Sequence, residues 1–287
     1  MKQDNFILQM RRAYQRLTKA EKKVADFVME HVSDVLYMSI TDLADACEVG
    51  ETTVFRFCKS MKLQGYQEFK IQLSLSMQNE ETENGQDILT DSVGTDDTFE
   101  VMVQKLLNSN VNALEETGEA LDKAKIELLI DKMLEADRVF FFGVGASQIV
   151  ALFATNKFLR ILSKVYCFTD SHMQTMAAST LTKRDVAVVI SYSGSTKDTL
   201  LFAKLAKERG AFTAAITRFL KSPMSGYVDM VLLCGANEGP LQGGSTTAVM
   251  SQMFLMDVLY IEYYRRTYDS SYINNQTTSQ SIIDKMY

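Results

Sequence analysis

Residues 40–58 constrain the fold more strongly than any other stretch of this 287-residue chain. Two sets of apolar residues at helical spacing flank a three-residue break: Leu43, Ala44 and Cys47 before it, and Val54, Phe57 and Cys58 after it. Short helices joined by such a tight turn form a helix-turn-helix, whose second helix can enter the major groove of DNA. The small side chain of Ala44 lets the two helices approach closely. The sequence therefore predicts an all-α DNA-binding domain, which we place at residues 1–77.

The distribution of charge is compatible with DNA binding although the net charge is −6. Residues 1–77 hold 11 basic and 10 acidic side chains, residues 78–137 hold 4 and 16, and residues 138–287 hold 15 and 10. The first domain is therefore nearly neutral, and contacts to DNA phosphates must come from locally placed Arg and Lys. Residues 78–98 hold seven acidic and no basic side chains, which predicts an extended acidic linker.

The cysteines and the apolar runs exclude several other classes of protein. Four cysteines, at positions 47, 58, 167 and 234, form no CxxC pair and have no metal-like spacing with the two histidines. We therefore expect neither a metal site nor a cofactor. Cys47 and Cys58 occupy apolar helical positions, which favours a structural role over redox sensing. Because no apolar run reaches the roughly 18–20 residues needed to cross a bilayer, we expect a soluble cytoplasmic protein without a membrane partner.

The sequence pattern changes at residue 138 from helical to alternating β and α. Five short apolar runs predict strands: Arg138–Phe142, Val165–Phe168, Val186–Ile190, Phe212–Ile216 and Val228–Leu233. Their continuous hydrophobicity is typical of a parallel sheet that is covered on both faces. We therefore predict a three-layer α/β sandwich with about five parallel strands, within a second domain spanning residues 99–287.

Three loops at the predicted carboxyl ends of strands are rich in Gly, Ser and Thr: Gly143–Ser147, Ser191–Thr196 and Gly235–Ser245. Ligands of such sheets bind at these ends. Small residues let the backbone approach an anion, and hydroxyls suit a phosphate or a sugar. Ordinary helix capping would explain one such loop alone. A dinucleotide site is a further alternative, since Asp170 has a suitable spacing, but Gln148 replaces the third glycine of that motif.

Taken together, the motifs resemble those of the RpiR/MurR family of bacterial transcription regulators. In that family a helix-turn-helix domain precedes a sugar isomerase (SIS) domain that senses phosphosugars. The resemblance rests on Thr53–Cys58, Gly65–Lys70, Gly143–Ser147, Ser191–Thr196, Glu238 with the Ser245 loop, and Asp257–Tyr260. The chain departs from the family at the turn, where Glu48-Val49-Gly50 replaces Gly-Val-Ser. We therefore expect backbone strain at Glu48 and no side-chain cap from Gly50.

The polar face of the second helix and the resemblance together imply two sets of site residues. The DNA contacts are expected from Thr52, Thr53, Arg56, Lys59 and Lys70. The phosphosugar contacts are expected from Gly145, Ser147, Ser191, Ser193, Gly194, Ser195, Thr196, Glu238 and Ser245. Thr196 is also expected to cap the helix that follows it.

These expectations describe a transcriptional regulator of sugar metabolism rather than an enzyme. Its partners would be a double-stranded, palindromic DNA operator, a phosphosugar effector and further copies of the chain, as a homodimer or homotetramer. We expect the helix that begins at Phe99 to take part in the dimer contacts. The alternative is an active sugar-phosphate isomerase with an appended helical domain. Such an enzyme needs a general base near the sugar, for which Glu238 and His172 are the candidates.

Overall fold

The structure is a computed structural model that describes residues 6–83, 93–236, 239–241 and 245–285. The described residues fall into two compact units, one within Met1–Ser109 and Asn237–Gly243, the other within Asn110–Ala236 and Gly244–Tyr287. In this part of the chain, every helix is too short or too polar to cross a membrane.

The first unit begins with six helices: α1 (Phe6–Ala13), α2 (Lys19–Glu30), α3 (Val32–Leu36), α4 (Ile40–Ala46), α5 (Glu51–Ser60) and α6 (Tyr66–Glu83). Capping boxes start α2 and α4, in which the Thr18 and Ser39 hydroxyls accept from the amides of Glu21 and Asp42. Leu43, Val54, Phe57, Phe69 and Leu73 are fully buried between the helices. The predicted all-helical domain is confirmed.

Helix α6 extends beyond the predicted domain boundary at residue 77. It continues to Glu83, so residues 78–83 are helical rather than extended. Gln and Glu are good helix formers, and the packed first turns of α6 supply the nucleus that a short acidic segment lacks by itself. The linker prediction is therefore wrong for these residues, and residues 84–92 lie outside the described part of the chain.

The remaining elements form the predicted α/β pattern. Along the chain they are α7 (Phe99–Glu119), α8 (Lys123–Glu135), β1 (Arg138–Phe142), α9 (Ala146–Phe158), β2 (Val165–Tyr166), α10 (Ser171–Ser179), β3 (Asp185–Ile190), α11 (Lys197–Glu208), β4 (Phe212–Thr217), β5 (Met230–Leu233), α12 (Thr246–Arg266) and α13 (Tyr268–Gln280). The strands pair in parallel, in the order β2-β1-β3-β4-β5. The predicted five-stranded parallel sheet is confirmed.

Helices cover both faces of the sheet and bury two separate cores. Helices α8, α9 and α12 pack on one face, where Phe141, Val188 and Ile216 point. Helices α10 and α11 pack on the other face, where Phe142 and Val189 point. This arrangement is the three-layer sandwich that the continuous hydrophobicity of the strands predicts.

A partly buried ion pair joins the amino ends of β1 and β3. Asp185, which is 2% exposed, accepts from the Arg138 guanidinium at 2.7 and 3.0 Å. The backbone and hydroxyl of Thr182 donate to the same carboxylate. Burial raises the pKa of Asp185, but the hydrogen bonds from Arg138 and Thr182 outweigh it, so the pKa is lower than usual.

Candidate functional site

The turn of the helix-turn-helix is a Schellman motif with an unusual residue at its centre. The Val49 amide donates to the Ala44 carbonyl (2.9 Å), and the Glu48 amide donates to the Asp45 carbonyl (3.0 Å). Glu48 has φ of 52°, which confirms the expected strain at a position that favours glycine. Gly50 begins α5 without a side-chain cap, as predicted. The hydrogen bonds of the turn therefore fix the angle between α4 and α5 despite both departures.

The exposed side of α5 carries most of the predicted DNA-binding residues. Thr52, Arg56 and Lys59 are exposed, whereas Thr53 is half-buried. The Arg56 Nε donates to the Thr52 carbonyl at 3.4 Å, so the guanidinium lies along the helix surface. The opposite side of α5 is buried through Val54, Phe57 and Cys58, as the spacing predicts.

Phe55 belongs to the same exposed side and is not among the predicted contacts. It is 43% exposed, its ring faces Gly65, and the Lys59 ammonium lies 5.3 Å from the ring centre. The spacing of Phe55 could have placed it on this side from the sequence alone, because positions 52, 55, 56 and 59 lie on one face of a helix. We call Thr52, Phe55, Arg56 and Lys59 the recognition face.

Lys70 does not lie on this surface. It is 6% exposed, and its ammonium donates to the carbonyls of Leu36 (3.2 Å) and Met38 (3.3 Å). Leu36 is the last residue of α3 and Met38 follows it closely, and backbone acceptors at a helix end need donors from elsewhere. The prediction of Lys70 as a phosphate contact is thus contradicted by its burial, and the residue joins α6 to the end of α3.

Two of the predicted phosphosugar loops follow β1 and β3, the two adjacent strands at which the strand order reverses. The chain leaves β1 toward β2 on one side, whereas β3 pairs with β1 on the other side. The loops that follow β1 and β3 therefore start from adjacent strand ends, and in parallel sheets ligands bind at such a switch point. Phe142 pairs with Val189, so the Gly143–Ser147 loop and the Ser191–Thr196 loop start side by side. We call them the glycine loop and the hydroxyl loop.

The glycine loop turns tightly onto the first turn of α9. A Cβ at Gly143 would lie 2.6 Å from the Ser147 carbonyl oxygen, so a larger residue does not fit there. Gln174, fully buried on α10, accepts from the Gly143 amide (3.1 Å) and donates to its carbonyl (2.9 Å). Gly145 occupies the N-cap of α9, and Ser147 lies in its first turn. Gln174 holds the loop in place, a role that has no signal in the sequence.

The hydroxyl loop is a hydrogen-bonded turn at the end of β3. The buried Ser191 extends the ladder by donating its amide to the Ile216 carbonyl (3.0 Å). Its Oγ lies 3.2 Å from the Thr199 hydroxyl. The Ser193 Oγ accepts from both the amide (3.3 Å) and the hydroxyl (3.0 Å) of Ser195. The Gly194 carbonyl accepts from the Met224 amide at 2.9 Å. The loop therefore presents several ordered hydroxyls at one strand end.

The other predicted residues have mixed outcomes. Thr196 occupies the N-cap position of α11, but its hydroxyl makes no capping hydrogen bond, so that part of its predicted role is wrong. The Ser245 hydroxyl caps α12 by accepting from the Ala248 amide at 3.2 Å. Glu238 lies outside the described residues. His172 is exposed on α10, and the Asp170 carboxylate caps α10 by accepting from the Met173 amide.

The cysteines lie within the packed interior, as expected for structural thiols. Cys47, Cys58 and Cys234 are buried and Cys167 is half-buried. Burial raises the pKa of Cys58 to about 12 and that of the other three thiols to about 11. Thiols with such pKa values stay protonated near neutral pH and are poor nucleophiles and metal ligands.

The fold and the motifs define a class of protein, in which a helix-turn-helix domain is joined to a SIS domain. Residues 4–80 match the helix-turn-helix domain of the rpiR family, and residues 132–262 match the SIS domain. The chain is 34% identical over 284 residues to an uncharacterized HTH-type transcriptional regulator of Haemophilus influenzae, covering 99% of this chain and 98% of that one. The chain therefore belongs to the RpiR family of transcriptional regulators that carry a SIS domain.

Two other similar proteins have more specific names. Over 213 residues the chain is 37% identical to the HTH-type transcriptional regulator HexR of Pseudomonas aeruginosa, covering 74% of this chain and 73% of HexR. The structure of the Vibrio vulnificus NanR protein complexed with ManNAc-6P aligns with a TM-score of 0.86 at 28% identity. That alignment covers 98% of this chain and 99% of NanR, so the whole fold is shared.

Proposed function

We propose that this regulator binds operator DNA through α5 and that a phosphosugar bound between the glycine and hydroxyl loops changes its operator affinity. The observation that carries the proposal is the hydroxyl loop at the β1/β3 switch point. A phosphoryl group brings about two negative charges and three acceptor oxygens at neutral pH. Serine hydroxyls together with the first amides of α11 supply donors at the positive end of the helix dipole.

The phosphosugar contacts that we propose come from both loops. Gly145 and Ser147 lie on the side of β1, and Ser191, Ser193, Gly194, Ser195 and Thr196 lie on the side of β3. Because Thr196 does not cap α11 with its side chain, its exposed hydroxyl is available to the ligand. Glu238 and Ser245 remain predicted contacts. The NanR complex with ManNAc-6P supports a phosphosugar as the class of effector.

The DNA contacts that we propose come from the recognition face together with Thr53. Arg56 and Lys59 would contact phosphates or a guanine edge, and Thr52 and Thr53 would contact bases or backbone. We propose a homodimer whose two heads bind a palindromic operator with half-sites one or two helical turns apart. Exposed apolar side chains on α7 support a contact between copies: Phe99, Val103, Leu106 and Leu107.

We also propose that the protein binds the phosphosugar without converting it. The similar full-length proteins are named as transcriptional regulators, which supports this view. The test incubates the protein with each candidate phosphosugar and follows the sugar by NMR. Isomerisation that Glu238→Gln abolishes would instead support the enzyme.

The central test measures operator affinity by fluorescence anisotropy, using DNA from upstream of the protein's own gene. Glucose 6-phosphate, fructose 6-phosphate, glucosamine 6-phosphate and N-acetylmannosamine 6-phosphate are each added at saturating concentration. We expect one of them to change the dissociation constant by about tenfold, which requires a coupling free energy of only about 1.4 kcal/mol. Absence of specific DNA binding at low salt would contradict the DNA-binding part of the proposal.

A further inference from the structure

The carboxyl-terminal half of α7 is locked onto the chain that follows β5. The Gly235 amide donates to the Thr117 hydroxyl at 2.8 Å, and that hydroxyl donates to the Ala113 carbonyl at 2.6 Å. Thr117 is fully buried and Ala113 is 2% exposed. One side chain of α7 thus bridges its own helix and the backbone at the end of the sheet.

The contact between Gly235 and α7 leaves no space for a side chain. A Cβ at Gly235 would lie 2.5 Å from the Ala113 carbonyl oxygen, 2.7 Å from the Glu116 Cβ and 2.9 Å from the Thr117 amide nitrogen. Here the two backbones touch directly. A shift of the chain at Gly235 must therefore move α7, because close-packed backbone cannot absorb the displacement.

The same segment is tied to the hydroxyl loop. The Tyr192 hydroxyl donates to the Ala236 carbonyl at 3.0 Å, and the Tyr192 side chain packs on a small cluster formed by Ala113, Ala236 and Ala248. Tyr192 lies between Ser191 and Ser193 in the sequence. A change in the hydroxyl loop therefore reaches Gly235 and Ala236 through one side chain.

A second connection joins the hydroxyl loop to α7 through β4. The Arg218 amide donates to the Tyr192 carbonyl at 3.0 Å, and the Arg218 guanidinium lies 3.5 Å from the Glu116 carboxylate. Glu116 and Thr117 are adjacent in α7. Both connections converge on the same turn of this helix.

Helix α7 is the element that leads the chain from the acidic segment to the SIS domain. It is continuous from Phe99 to Glu119. At a rise of 1.5 Å per residue, Thr117 lies about 27 Å along the helix from Phe99. Successive turns of a continuous helix are joined by backbone hydrogen bonds, which offers a path from Thr117 to the preceding turns of α7.

We propose that the contact of Gly235 with Thr117 couples the phosphosugar site to operator binding. Ligand in the hydroxyl loop shifts Tyr192 and the Gly235–Ala236 backbone, and α7 carries the shift toward the DNA-binding domain. The inference rests on the proposed function and adds the path by which the two sites communicate. In this role Thr117 and Gly235 are positioning residues that touch neither ligand.

The test separates coupling from binding by measuring each ligand alone and both together. Thr117→Val keeps the branched shape but removes the hydroxyl, and Thr117→Ser keeps the hydroxyl as its control. Gly235→Ala places a methyl group against α7. Its control is Gly118→Ala on the exposed side of the same helix, where an added Cβ has no atom within 4 Å. The probe is whichever of the four phosphosugars above changes the operator affinity of the wild-type protein most.

For Thr117→Val we expect direct phosphosugar affinity and effector-free operator affinity within about threefold of wild type. Gly235→Ala should also keep the phosphosugar affinity, but it should change the effector-free operator affinity because its methyl group displaces α7. The change in operator affinity on adding the phosphosugar should fall from about tenfold to less than twofold. Thr117→Ser and Gly118→Ala should retain the wild-type response. Calorimetry measures the phosphosugar affinity, and anisotropy measures the operator affinity.

Three outcomes would overturn the inference. An unchanged effector response in Thr117→Val would show that the contact does not couple the sites, and this variant suffices if Gly235→Ala does not fold. Loss of direct phosphosugar binding would place the contact within the ligand site itself. A wild-type protein that responds to none of the four phosphosugars would refute the proposed function, and the coupling with it.

Discussion

Lys70→Met should destabilise the helical unit without changing its contacts to DNA. The Lys70 ammonium donates to the carbonyls of Leu36 and Met38 from a position that is 6% exposed. Met keeps the length of the side chain but removes the donor. The Met38 carbonyl keeps a hydrogen bond from the Tyr66 hydroxyl at 3.2 Å. The Leu36 carbonyl therefore bears most of the loss.

The size of the effect follows from one buried carbonyl that loses its donor. A buried carbonyl without a donor lowers the free energy of unfolding by about 1–3 kcal/mol. Part of this loss is offset, because Met does not carry the charge whose burial is unfavourable. We therefore expect the free energy of unfolding to fall by about 1–2 kcal/mol. For a domain of this size, each kcal/mol lowers the melting temperature by about 4–8 °C, so the transition should fall by about 4–16 °C.

Scanning calorimetry of the full-length protein measures the melting temperature, and operator titrations at several salt concentrations count the phosphate contacts. Lys59→Met, at an exposed position of α5, is the matched control. It should leave the melting temperature unchanged and reduce the salt slope of the binding constant by about 0.9 per operator half-site. The reasoning is refuted if Lys70→Met melts like wild type and reduces the salt slope as Lys59→Met should.

Three further predictions address the two sites and the sheet. Arg56→Ala should abolish specific operator binding and leave phosphosugar affinity intact in calorimetry, and Ser193→Ala should do the reverse; loss of both functions in either variant would contradict separate sites. Phe55→Ala should reduce the preference for thymine over deoxyuridine in the operator, measured by anisotropy, because the exposed ring is suited to the thymine methyl group; an unchanged preference would exclude this contact. Asp185 has a lowered pKa in the folded protein, so its contribution to stability is present above about pH 4 and is lost as the pH falls through the folded pKa. Urea unfolding should therefore show that Asp185→Asn has a lower free energy of unfolding than wild type at pH 7, and that this difference shrinks in acid. A difference that does not change with pH would contradict the lowered pKa.

The strands and the helix-turn-helix could be predicted from the sequence because their signals are local. Each strand is a short apolar run between turn residues, and the alternation of these runs with helical segments predicts a parallel sheet. The backbone strain at Glu48 could also be predicted from the sequence, since the turn between two closely packed helices requires positive φ at that position. Each of these features depends on a few residues that are neighbours in the sequence.

The contacts of Lys70 and Gln174 could not be predicted, because their partners are distant in the sequence. A phosphate contact from Lys70, as predicted, requires an exposed side chain, yet its spacing from Tyr66 and Leu73 places it on the buried face of α6. The long side chain can be buried there because its ammonium donates hydrogen bonds to backbone carbonyls at the end of α3, such as that of Leu36, 34 residues away. The clamp of Gln174 on Gly143 is likewise a contact across 31 residues. No local sequence pattern predicts the partner of Lys70 or of Gln174.

The burial of Lys70 strengthens the case for two DNA-binding heads. Without Lys70, Arg56 and Lys59 are the outward cations of α5. If both contact DNA phosphates, the salt slope from this helix would be about −1.8 for one head and about −3.6 for the proposed dimer. A single, nearly neutral head would thus bind DNA weakly, and most of the affinity would come from joining two heads at the correct spacing. In the proposed dimer, operator affinity would then depend strongly on the spacing of the two heads. This dependence is the reason why a small displacement of α7 at Gly235 would suffice to change it.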